Sequence, residues 1–138
     1  MMKPEPAKMA QQVAESVMAF QLKTTGHAPK AVTVVLSQDT LVITLHEALS
    51  PAERDTAKSP AGAAKVVEFH RHLFANSCQS LRDDIKRITG VEVREAVAEI
   101  EPATGAVVQA FTSSAMVQVF RLSQSVPRDT WSSLAEQT

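Results

Sequence analysis

The chain has 138 residues, 44% of them hydrophobic, which suits one domain with a core of its own and no need of metals or disulfides. A formal net charge of -1, from 14 basic and 15 acidic residues, excludes a global field for nucleic acid or anionic lipid and offers little repulsion against self-association. Cys78 is the single cysteine, so an intrachain disulfide is excluded, and no segment approaches the roughly 20 apolar residues of a membrane-spanning helix.

Residues 1–8 carry Pro4 and Pro6 with no apolar run behind them, and read as a flexible N-terminus rather than a signal peptide. From about Ala7 to Thr24, Val13, Val17 and Phe20 follow helical spacing, and Met9, Ala10 and Leu22 broaden the stripe. Gly26 ends this helix, and His27-Ala28-Pro29 makes a short connection. Lys30–Leu36 and Thr40–Leu45, rich in valine, isoleucine and threonine, predict paired strands around a tight turn at Ser37-Gln38-Asp39. In the second strand Leu41, Ile43 and Leu45 alternate with Val42 and Thr44, so one face is fully apolar and the other mixed.

Leu49-Ser50-Pro51-Ala52-Glu53 then marks a helix start. Ser50 caps the free N–H groups, Pro51 occupies the first helical position where its missing donor costs nothing, and Glu53 closes the reciprocal capping box. Ser59-Pro60 ends this short helix and opens the next, with Gly62 in its first turn. From Ala63 to about Ile88 runs the longest helix, with a stripe at Val66, His70, Leu73, Ser77, Leu81, Ile85 and Ile88, widened by Phe69 and Phe74. Thr89-Gly90 stops it. Val91–Ile100 and Ala106–Phe111 predict a second hairpin across Glu101–Gly105.

The order α-β-β-α-α-β-β over residues 9–112 predicts an α+β, two-layer fold: an antiparallel sheet of four or five strands with helices packed on one face. Residues 113–138 form a C-terminal extension. Within it Met116–Leu122 supplies an extra strand or part of a helix, and Pro127 begins a short helix containing Trp131 and Leu134.

Motifs for chemistry are few. His27, His46, His70 and His72 form no HExxH pattern and have no metal-ligand spacing with Cys78, so no metal and no cofactor is expected. No Walker or GxGxxG fingerprint occurs among the four glycines. Lys65, Arg71, Arg82, Lys86 and Arg87 on the long helix are diluted by Glu68, Asp83 and Asp84, without aromatic interleaving, and nucleic-acid binding is not predicted. His46, His70 and Arg71 are candidate pocket residues, should they converge between the long helix and the sheet. No catalytic residue is assigned.

The chain resembles the MpsC-like family, an accessory domain related to a sodium-dependent, membrane-potential-generating system. The resemblance runs from about Ala10 to Phe111 and is clearest at Leu49-Ser50-Pro51-Ala52-Glu53, where the family has a Leu-Thr-Pro-Ala-Glu type sequence. Ala57, Gly62 and Arg71 follow at family-like positions. Ile88-Thr89-Gly90 with Val93 matches a helix-to-strand junction, and Glu101-Pro102 with Thr104 resembles an acidic-Pro-x-Thr turn. Gly26 and Pro29 match a Gly-Arg-Gly-Pro-like loop, from which His27 and Ala28 depart.

The resemblance implies an accessory or regulatory role in a sodium/bicarbonate uptake or membrane-energisation complex. The expected protein is therefore a non-enzymatic interaction module. It is expected in the cytoplasm, reaching a membrane only through an integral-membrane partner. A homodimer is expected through the segment Met116–Phe120 or the adjoining terminal helix. A small-molecule-binding sensor or cryptic enzyme, with its site at His46, His70 and Arg71, is the alternative. Leu49, Ser50, Pro51, Glu53, Gly62 and Gly90 are expected to be structural.

Overall fold

Alternating apolar residues build the centre of the sheet. In a computed structural model, which describes residues 6–113, the elements are α1 (Pro6–Thr25), β1 (Ala31–Ser37), β2 (Thr40–His46), α2 (Pro51–Thr56), α3 (Pro60–Thr89), β3 (Glu95–Glu101) and β4 (Ala106–Thr112). The strands form one antiparallel sheet in the order β1-β2-β4-β3. The last described strand thus enters the middle and joins the two hairpins. Register sets Leu41 opposite Phe111, Ile43 opposite Gln109 and Leu45 opposite Val107. These residues share one face by strand alternation, and α1 and α3 pack on that side.

This is the α+β architecture expected from the element order, with four strands among the described residues. Met116–Leu122, Pro127, Trp131 and Leu134 lie outside them. Several boundaries differ from the sequence reading. The turn of the first hairpin is only Gln38-Asp39, because Ser37 pairs with Thr40. The third strand starts at Glu95 rather than Val91. Gly90 caps α3 in the left-handed region at φ 77°, and Val91–Arg94 carries the chain from that cap to the sheet.

Two aromatic or aliphatic assignments also change. On α1 the buried stripe runs Val13, Val17, Gln21, four residues at a time, so Leu22 lies about 100° away and is exposed. On α3 the stripe is Gly62, Val66, His70, Phe74, then Leu81, Ile85 and Ile88. Phe69 falls off its edge, 53% exposed, with its ring edge-on to His70 at 5.4 Å between centroids. Val17, Ile43, Leu45 and Leu81 are fully enclosed. Each such side chain contributes about 1.5–3 kcal/mol through removal from water.

The α2–α3 corner is where the chain is held most tightly. The Glu53 N–H donates to Ser50 Oγ at 3.2 Å, and the Ser50 N–H donates to Glu53 Oε1 at 3.0 Å. Ser59 caps α3 in the same way, accepting from the Gly62 N–H at 3.0 Å. Gly62 is glycine because of space: a Cβ there would overlap the Thr56 carbonyl oxygen. Gly62→Ala should lose about 1–3 kcal/mol to this overlap, despite alanine's better helix propensity. Equal or higher stability in chemical denaturation would mean that the end of α2 moves aside freely. Ser50→Ala should cost about 1 kcal/mol through the lost cap, read as a lower denaturation midpoint with unchanged circular dichroism. An unchanged midpoint would reject the capping role.

Candidate functional site

The longest helix carries His70 into the interior because position 70 continues the stripe from Val66 to Phe74. A buried imidazole needs a partner, and α2 supplies one. His70 Nε2 lies 2.6 Å from Glu53 Oε2, with the His70 side chain 4% exposed. The carboxylate can only accept, so Nε2 carries the proton in this pair. Glu53 therefore uses one oxygen to close the α2 capping box and the other to hold α3.

Burial alone disfavours the ionised Glu53 carboxyl. It is outweighed by the Ser50 N–H, the His70 ring and the Ser50 hydroxyl, which together hold the Glu53 pKa below the ordinary carboxylate value. A depressed native pKa means stability that is full above the ordinary value near 4.3 and is lost as pH falls through the native value. Wild type should therefore exceed Glu53→Gln in stability near neutral pH. The difference should shrink as pH falls below the ordinary glutamate value and through the depressed native one, as protonation makes the two side chains alike. Denaturation series across that range measure it, and a constant difference would exclude ionised Glu53 as the source.

The three pocket candidates do not come together. His70 is committed to Glu53. Arg71, one residue on, turns away from the interior, and its guanidinium donates to Glu99 Oε2 at 2.9 Å in a solvent-exposed pair. His46 stands on the opposite face of the sheet from Leu45 and bonds through Nε2 with Thr33 Oγ1 at 3.0 Å. His46 and His70 are thus separated by the sheet itself. Of the other histidines, His27 Nε2 lies 3.2 Å from the Glu47 carbonyl oxygen and His72 Nε2 lies 2.9 Å from Asn76 Nδ2. Cys78 is half-buried against the core. Among the described residues no group of three or more His, Cys, Asp or Glu side chains is placed to hold a metal ion.

Sequence reasoning missed two polar residues in the core. Gln21 and Gln109 are both buried, and Gln109 Oε1 has no hydrogen-bond partner among the described residues. Gln109 sits opposite Ile43 at the centre of the sheet and lines a space of about 10 Å³ shared with Gln21, Thr24 and His70. That is about one water molecule's worth of room. Only the i, i+4 spacing Val13-Val17-Gln21 signalled the first, and only strand alternation the second.

A second opening lies at the end of the sheet. Met9, Leu36, Leu41, Ile85, Val91 and Phe111 line an apolar cleft of about 210 Å³. It is smaller than the 300–1,000 Å³ range of drug-sized sites, and it contains none of the three pocket candidates.

The described residues form an α+β domain in which Glu53 and His70 join α2 to α3. The chain belongs to the MpsC family, described as a Na+-translocating membrane potential-generating system, which it matches over residues 6–114. It is also similar to the uncharacterized protein YbcI of Bacillus subtilis (strain 168), at 23% identity over 110 residues covering 80% of this chain and 89% of that protein. No solved structure matches it. No described helix is long and apolar enough to cross a membrane.

Proposed function

We propose that the protein is a non-enzymatic accessory or regulatory module of a membrane-energising complex, acting by protein–protein contact with an integral-membrane partner. The observation that carries this reading is membership of a family described as part of a Na+-translocating, membrane-potential-generating system, in a chain whose described helices do not span a membrane. The side chains best suited to chemistry support it too. Glu53 and His70 are consumed in holding two helices together, and Arg71 is paired with Glu99. An association with sodium or bicarbonate uptake is the specific form of the proposal.

Affinity capture of the tagged full-length chain from native membranes tests it. An integral-membrane protein should be enriched over a tagged protein of similar size and charge. Failure to enrich one, under detergent conditions that keep other membrane complexes intact, would overturn the reading. The apolar cleft at the end of the sheet favours the second reading, a small-molecule sensor. A metabolite retained through purification and seen by native mass spectrometry, with no membrane partner captured, would transfer the assignment to it.

A further inference from the structure

We infer that the β1 edge of the sheet is an interface with a second copy of this chain, formed by antiparallel pairing of β1 with its own counterpart across a two-fold axis. The two edges of the described sheet differ in chemistry. β3 carries Glu95, Glu99 and Glu101 on one face, with Val97 between the first two and Glu99 paired with Arg71, and charges such as Glu95 and Glu101 guard an edge against further pairing. From Ala31 to Ser37 β1 has no charged residue at all. It nevertheless exposes Val35 at 52% and Leu36 at 68%. A seven-residue, uncharged and mainly apolar edge is a template for another strand.

The register selects the partner. The two-residue turn makes Ser37 and Thr40 the closing bonded pair, and alternation then commits the backbone of Thr33 and Val35 to β2. The N–H and C=O groups of Val32, Val34 and Leu36 point away from β2. A two-fold axis at Val34 sets Val34 opposite its own counterpart and Val32 opposite the counterpart of Leu36, using those groups. It also sets Thr33 opposite the counterpart of Val35. Both exposed side chains gain cross-strand neighbours on their own faces, and no like charges meet. The same operation on β3 would place Glu95 opposite the counterpart of Glu101, which is unfavourable. A second copy therefore suits β1 and not β3, and the result is a continuous sheet through both copies.

This inference does not rest on the accessory role. Sedimentation equilibrium of the full-length chain over a micromolar dilution series tests it, alongside Val35→Lys and Leu36→Lys. Both positions are exposed, so the variants should keep the wild-type circular dichroism. Wild type should be a dimer, and each variant should dissociate at least about tenfold more readily, because a change at a two-fold seam acts twice. Hydrogen exchange should show the Val32, Val34 and Leu36 amides protected in the dimer and unprotected on dilution to monomer. A monomeric wild type would overturn the inference. So would a dimer indifferent to both lysines, or one whose three amides exchange freely; either places the contact elsewhere, as in residues 113–138.

Discussion

One carboxylate ties α2 to α3. Glu53 closes the first turn of α2 with Oε1 and accepts a hydrogen bond from His70 Nε2 with Oε2 at 2.6 Å. The second bond reaches seventeen residues along the chain, onto the helix that covers the sheet. Gly62 completes the joint, because only a residue without Cβ lets the first turn of α3 lie against the last turn of α2. With both in place the direction of α3 is set, and its stripe from Val66 to Ile88 falls on the apolar face of the sheet. The pair is buried on the histidine side, so removing either partner leaves a polar group without its bond, which costs more than the bond itself contributes. An ionisable His–Glu contact of this kind resembles the start of a catalytic relay. Here it joins α2 to α3.

The sheet depends on a different constraint. β4 is the last described strand and becomes a central one, pairing with β2 on one side and β3 on the other. It is buried along its whole length. Its central residues Val108 and Ala110 project to the face opposite the helices, as alternation from Val107, Gln109 and Phe111 requires. The outer strands are left with different tasks. β3 presents carboxylates, and β1 presents bare valine and leucine. That asymmetry distinguishes the two edges of the described sheet.

Family membership and the structure bear on function at different levels. The first connects the chain to a Na+-translocating, membrane-potential-generating system. The second shows where the strongest polar interactions go: into caps, helix joints and strand pairs. The exposed Arg71–Glu99 pair adds at most about 1 kcal/mol in solvent. Chemistry at the α2–α3 corner would compete with the bonds that fold it. An accessory role at a protein surface makes no such demand.

Much of this was legible in the residues themselves. Capping at Ser50 and Ser59, the glycine stop at Gly90 and the alternation of Leu41, Ile43 and Leu45 are local, because each depends on partners within a few residues or on a fixed period. The family itself was legible for the same reason, since its motifs are those local joints. What stayed hidden depends on distant partners. His70 and Arg71 were named as candidate pocket residues, yet adjacent helix positions point about 100° apart, and only the packed structure assigns one to Glu53 and the other to Glu99. His46 lies on the other side of the sheet from both. Local sequence determined the elements, their caps and their apolar faces through short-range sterics and hydrogen bonds. The insertion of β4 between β2 and β3, the joint between Glu53 and His70 and the bare edge at β1 were decided by tertiary structure, because each needs chain segments far apart in sequence to be set side by side.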